Sequence, residues 1–314
     1  MSHPPTRSRI KGIILVLAAA GLWGISGTVV QYLFERHSVN TAWLVDVRLL
    51  LAGALLLGFA FFKEKRRVWG VWSSKRDAVS LLLFSIFGMV AVQYTFFSAI
   101  EHSNAATATV LQCLSPVLIS CYLAIRGKRW PTIKELVAVC LSFAGTYLLV
   151  THGQTNSLSI SWPAFLWGIG SAVALVIYTL QPQRLLARWG STVVVGWGML
   201  LGGIAISFVH PPWSFQGEWS LPLVGSVLFV VLFGTLISFC CYLESLTYIS
   251  ASETSVLATF EPLTAAFLSV AWLQLAFGWE EWLGTVCILS TIFMLAFVPK
   301  KKRPLGRETG SVQA

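Results

Sequence analysis

Asn104-Ala105-Ala106-Thr107-Ala108-Thr109-Val110-Leu111 leads, five residues on, to Pro116; Ser250-Ala251-Ser252-Glu253-Thr254-Ser255-Val256-Leu257 leads at the same spacing to Pro262. Ala, Val, Leu and Pro coincide, small hydroxyl residues recur, and each block opens an apolar run after a short polar break. Read as a duplication, the two blocks place corresponding helices in two halves of one chain. If each half holds five membrane spans, the odd number forces the halves into opposite orientations, the inverted-repeat plan of many secondary transporters.

The surrounding composition agrees with a chain dissolved in lipid. Of 314 residues, 56% are hydrophobic and only 11% charged, against about 25% charged in an average soluble domain. A bilayer core of about 30 Å takes about 20 apolar residues per helix. Runs of that size are expected at 12–33, 42–62, 78–99, 105–125, 135–150, 162–180, 192–208, 221–243, 251–273 and 282–298. The expected fold is therefore all-α and polytopic, with ten transmembrane helices. The first run follows Arg7, Arg9 and Lys11 and contains Ala18-Ala19-Ala20, like a secretory signal, but it continues to Leu33. That is too long for a signal core, so it is read as an uncleaved first helix.

Charge placement tests the count. With the N-terminus cytoplasmic, ten spans bring 20 of the 22 Lys and Arg residues to one face, leaving Arg36 on the other and Arg48 within a span. The positive-inside rule then makes that face, and both termini, cytoplasmic. The net charge of +9 thus reports topology rather than nucleic-acid binding, because the basic residues cluster at the ends of apolar runs. All six cysteines fall inside apolar runs without metal-ligand spacing, and all five histidines fall in tails or breaks. No metal site or cofactor is expected.

Polar residues inside the spans are the candidates for function. Pro116 and Pro262 lie near the middle of their spans, where each withholds an amide hydrogen and frees the carbonyl four residues back, that of Gln112 or Ala258. The alternatives are a kink satisfied by neighbouring helices or a pair of bent helices framing a wet cavity. Glu261, beside Pro262, must face the bundle interior, since a charge at mid-membrane costs about 2.5 to 3.5 kcal/mol even on lenient scales. It is either a proton-coupling group, a partner for a substrate ammonium, or a hydrogen-bonded structural residue. Asp46 and Arg48, two positions apart, point to nearly opposite helix faces and need separate partners; a structural contact and a gate or substrate-carboxylate contact are both open.

Trp23, Gln93, Tyr94, Phe97, Gln112, Tyr178 and Tyr242 offer apolar faces with a few hydrogen-bonding groups, as a substrate cavity would. Aromatic residues near span ends also serve as interface anchors. Gln181 and Trp197 belong to the same wider set. Glu244 and Glu253 fall at the cytoplasmic edge and are read as solvated or capping. Gly21, Gly24, Gly27 and the pair Gly198 and Gly202 suit close helix packing. There is no phosphate loop, no H-E-x-x-H and no G-x-S-x-G, so catalysis has no support.

The ten spans, the paired blocks before Pro116 and Pro262, Gly21-Leu22-Trp23-Gly24, Arg48 in the second span and the Gly88 to Ala99 stretch in the third together resemble the EamA-type drug/metabolite transporter superfamily. The resemblance covers nearly the whole chain. It implies two EamA repeats, at 12–150 and 162–298, around a central cavity, with a short N-terminal tail at 1–11 and a basic tail at 299–314, both cytoplasmic. It also implies export of amino acids or related metabolites through an aromatic-lined cavity, to which Trp23, Gln93, Tyr94, Phe97 and Tyr178 correspond by position. Some similar exporters carry a histidine where this chain has Gln93, so substrate preference does not transfer directly.

The resulting expectation is a secondary transporter in the cytoplasmic membrane, monomeric or homodimeric, that moves a small molecule by alternating access, with protons as a candidate coupling ion and no nucleic-acid partner. An uptake carrier for a sugar or other nutrient is the rival transporter reading. A membrane-embedded lipid-modifying transferase is the rival from another class, against which the lack of intramembrane histidine counts.

Overall fold

Four polar residues, Asn40, Asn104, Ser161 and Ser220, each accept a hydrogen bond from a backbone N–H two or three positions ahead and so start a helix. In the computed structural model the described residues are 6–64, 67–126, 130, 133–151, 160–215, 217–245, 248–249, 257–258, 260–276 and 278–296, and among them there is no strand. Most of block 250–257, with Glu253, lies outside the described residues, as do His3, His152 and the basic tail.

The main helices are α1 (Thr6–His37), α2 (Thr41–Glu64), α3 (Lys75–His102), α4 (Ala105–Arg126), α5 (Ile133–Thr151), α6 (Trp162–Leu180), α7 (Ser191–Ser207), α8 (Leu221–Tyr242), α9 (Phe260–Ala271) and α10 (Trp279–Ala296). Six of them, α1 to α4, α6 and α8, contain stretches long and apolar enough to cross a bilayer. Helices α7 and α9 are shorter. At 1.5 Å per residue, the 17 residues of α7 reach only about 25 Å. The chain is thus an integral, multi-pass membrane protein. Phe62, Phe143, Leu166 and Phe267 stand fully on its outer surface, an arrangement that water would penalise and lipid does not.

Two helices depart from the uninterrupted spans expected. Helix α4 breaks at Cys113 and Leu114 into Ala105–Gln112 and Ser115–Arg126. Pro116 therefore opens a second helical piece, where its missing N–H leaves no gap in the ladder, rather than kinking a continuous one. Pro262 likewise sits in the first turn of α9. The carbonyl of Ala258 is not freed, because it accepts the N–H of Glu261 at 3.0 Å. Helices α3 and α8 each widen into a π segment, Phe84–Val90 and Leu232–Ile237.

Helix α1 packs against α8 and α9, α6 against α3 and α4, α2 along α7, and α5 along α10. The α2–α7 seam is nearly backbone to backbone. A Cβ on Gly53 would lie 2.5 Å from the amide nitrogen of Leu200, so only glycine admits that approach. Trp197 in α7 donates its indole N–H to the Val68 carbonyl at 2.9 Å and packs edge-on against Trp69 and Trp72. Gln181 donates to the Ser80 carbonyl. Both are structural ties between elements.

Candidate functional site

Arg48 occupies the centre of the bundle with only 5% of its surface exposed. Its helix, α2, delivers it to the π segment of α8. There its Nε donates to the Thr235 hydroxyl at 2.5 Å and its Nη2 to the Gly234 carbonyl at 3.3 Å. The π geometry makes this possible: Thr235 passes its own proton to the carbonyl of Val230, five residues back, at 2.9 Å, leaving its lone pairs for Arg48. A widened turn of this kind offers backbone acceptors that a regular helix keeps to itself. The Phe97 ring of α3 lies 4.9 Å from the guanidinium carbon, a cation–π contact in a dry setting.

Glu261 of α9 faces the same centre. Arg48 and Glu261 lie within electrostatic reach of each other without forming a direct ion pair. Among the described residues the Glu261 carboxylate receives no hydrogen bond from a protein donor. Its helix is held tightly against α1: a Cβ on Gly24 would stand 2.6 Å from the Glu261 carbonyl oxygen and 2.7 Å from the Thr264 Cβ. Cys113, at the break in α4, and Tyr242 of α8 are also within electrostatic reach of Glu261, and Tyr178 of α6 is within reach of Tyr242. Trp23 of α1 completes this wall, with ring centroids 5.2 Å from Tyr242 and 5.3 Å from Phe239.

The structure thus brings together Trp23, Arg48, Phe97, Tyr178, Tyr242 and Glu261. It places the other candidates elsewhere. Tyr94 meets Trp167 edge-on at 5.7 Å in the α3–α6 seam, beside the buried Gln93. Gln112 donates to the Ser171 hydroxyl at 2.6 Å, tying α4 to α6. Asp46 is fully buried, with one oxygen accepting from Ser207 of α7 at 2.9 Å and the other, among the described residues, without a partner. Gly234, Thr235, Phe239 and Cys113 join the centre without having been singled out. A hydroxyl or thiol inside an apolar run carries no sign of which neighbour it will meet.

A cavity of about 580 Å³ opens at the end of the bundle where α1 finishes, lined by Phe34, Glu35, Trp43, Glu101, His210 and Phe215 among others. The segment after α7 is pinned over it. Trp43 donates its indole N–H to the Pro212 carbonyl at 2.7 Å and packs against Phe215 and Trp219. Phe34, on the cavity wall, meets Phe97 edge-on at 6.4 Å. Phe97 therefore neighbours both the cavity wall and Arg48. Among the described residues no group of three His, Cys, Asp or Glu side chains could hold a metal ion.

The model of the EamA-like transporter family matches the chain twice, over residues 10–151 and 162–297. A Salmonella typhimurium protein described as "Uncharacterized inner membrane transporter YicL" is 40% identical over 93% of this chain and 97% of its own length. A Bacillus subtilis protein, "Uncharacterized transporter YwfM", is 25% identical over 92% of this chain and 95% of its own. One crystal structure matches the fold with a TM-score of 0.61 over 90% of this chain and 95% of that one, at 16% identity.

Proposed function

The chain belongs to the EamA-like transporter family, and from that premise we propose that it exports amino acids or closely related zwitterionic metabolites by alternating access. The observation that carries this reading is the buried Arg48 guanidinium, held by Thr235 and Gly234 beside the Phe97 ring, with the Glu261 carboxylate within electrostatic reach. A zwitterion presents a carboxylate and an ammonium a few ångströms apart. A guanidinium and a carboxylate within electrostatic reach of one another offer one complementary group to each. Trp23, Tyr242 and Phe97 supply the apolar faces that exclude water and strengthen both interactions. Glu261 is also the group through which a proton would be exchanged when no ammonium is present.

Alternating access needs two related halves, and three features support ten spans arranged as inverted five-helix repeats at 12–150 and 162–298. Phe84, where the first π segment starts, precedes Pro116 by 32 residues; Leu232, where the second starts, precedes Pro262 by 30. The packing of α1 on α8 and α9 is mirrored by that of α6 on α3 and α4. The family model matches each half separately. The distribution of Lys and Arg favours cytoplasmic termini and residence in the cytoplasmic membrane.

Flux in proteoliposomes, with labelled amino acids, sugars and nucleosides and with or without an imposed pH gradient, tests the proposal. Saturable movement of amino acids is expected. Movement of sugars or nucleosides alone would overturn the zwitterion reading.

A further inference from the structure

The two ends of α1 are in opposite states. At its C-terminal end Phe34 and Glu35 border the cavity of about 580 Å³. At its N-terminal end Lys11 donates from Nζ to the hydroxyl of Tyr248 at 2.7 Å and lies 4.6 Å from the centroid of the same ring. Tyr248 follows α8, and its hydroxyl passes its proton to Oε1 of Glu244 at 2.9 Å. The side chains of Tyr248 and Ile249 pack closely on α1 beside this chain of contacts: a Cβ on Gly12 would lie 2.7 Å from the Tyr248 Cβ and 3.0 Å from Ile249. One end of the bundle is thus open between α1, α2 and α3, and at the other α1 is closed against Tyr248 and Ile249.

We propose that Lys11, Tyr248 and Glu244 form a lock that closes the N-terminal face of the transport path and holds the chain in the state open at the opposite face. The inference rests on the alternating-access reading above, and it adds the residues that bias the two states. Helix α1 is suited to transmit the change, because it carries the lock at one end, Trp23 of the central wall in its middle and Phe34 of the cavity wall at the other. The contacts are solvent-exposed, and exposed charged pairs are weak. That is what a gate requires, since a lock that must open in every cycle can bias the two states only modestly. The close packing of Tyr248 and Ile249 on Gly12 supplies shape, and the Lys11–Tyr248–Glu244 chain supplies the bias.

The test follows labelling of a cysteine placed at Ser103, which lines the cavity (Ser103→Cys), by a membrane-impermeant maleimide in the full chain reconstituted into liposomes, with the unsubstituted chain as blank for its native cysteines. The same reporter is measured with Lys11→Ala, Tyr248→Phe and Lys11→Arg added. If the lock holds the cavity open, Lys11→Ala and Tyr248→Phe each slow labelling by about threefold, while Lys11→Arg leaves it near the starting rate. Rates unchanged by Lys11→Ala and Tyr248→Phe, in protein that elutes and melts like the parent, would overturn the lock. The topology is read separately, from which side of the membrane the reagent must be added, and alternating access from whether saturating cargo changes the labelling rate.

Discussion

Arg48 and Thr235, 187 positions apart in the chain, meet in the buried centre of the bundle through a short hydrogen bond from Nε to Oγ1. The contact joins α2 to the π segment of α8, and it fixes the direction in which the guanidinium presents its remaining donors. A charged group this deep is tolerated only when its donors are met. Here the Gly234 carbonyl takes a second donor and the Phe97 ring lies beside the guanidinium.

Replacing Thr235 by Val therefore removes an acceptor from a buried guanidinium and the tie to the Val230 carbonyl. Thermal unfolding in detergent should show a loss of about 1 to 3 kcal/mol, accompanied by reduced flux. Thr235→Ser keeps the hydroxyl and should recover most of both. A Val variant as stable and active as the parent would mean that Arg48 finds its partners elsewhere.

Glu261→Gln keeps the shape of the side chain and removes its ability to exchange a proton. If Glu261 couples transport to protons, flux in the variant should become the same with and without a pH gradient. Flux that still follows the gradient would take Glu261 out of the coupling step and leave it as a contact for the ammonium of the cargo.

Trp23 packs on Tyr242 and Phe239. Trp23→Ala should lower flux at least tenfold while reducing the yield of folded protein by much less, whereas Tyr94→Ala, which loses a contact to Trp167 in a helix seam, should lower flux and yield together. The comparison is made on purified protein from equal cell mass. The reverse ranking would shift the cavity wall from α1 toward α3.

Gly24 sits where any Cβ would press on the Glu261 carbonyl and Thr264. Gly24→Val should push α9 from α1, destabilise the protein by about 1 to 3 kcal/mol, and impair flux through displaced Glu261. Gly27, whose nearest neighbour is the Ala105 Cβ at 3.7 Å, provides the control. Gly27→Ala should be close to neutral in both measurements.

Much of the fold was readable from runs and charges. The apolar stretches anticipate most helices to within a few residues, because a helix that must satisfy its own backbone in lipid needs a contiguous apolar run. The breaks were harder to see. Pro116 reads from the sequence either as a kink satisfied by neighbours or as a bend framing a cavity; the helix parts at Cys113 and Leu114 and restarts ahead of the proline. A proline is comfortable in a first turn, so the chain gives up one turn rather than strain the ladder. Neither π segment had a visible signal, since π geometry arises from an extra residue accommodated by packing and not from a residue type.

The candidate site was legible in part. Trp23, Arg48, Phe97, Tyr178, Tyr242 and Glu261 stood out as polar or aromatic residues where lipid would not keep them, and they converge. Gln93, Tyr94 and Gln112 stood out for the same reason, but Tyr94 and Gln112 serve the seams that bind α6 to α3 and α4. A buried polar group in a membrane is noticed equally whether it binds a neighbour or a cargo.

The sequence by itself determined that lipid is the solvent of this chain, where its helices run, that two proline-led blocks recur, and which few charges lie inside the membrane. These are local facts, each contained in a window of about 20 residues or in a single residue type. Only the tertiary structure decided that Arg48 bonds to Thr235, that Asp46 is spent on Ser207, and that one end of α1 borders a cavity while the other is hydrogen-bonded to Tyr248. Helices apolar nearly all round carry little record of which face turns inward. Rotation about each axis is set by small-residue contacts such as Gly24 on Glu261 and Gly53 on Leu200, which exist only once the helices have met.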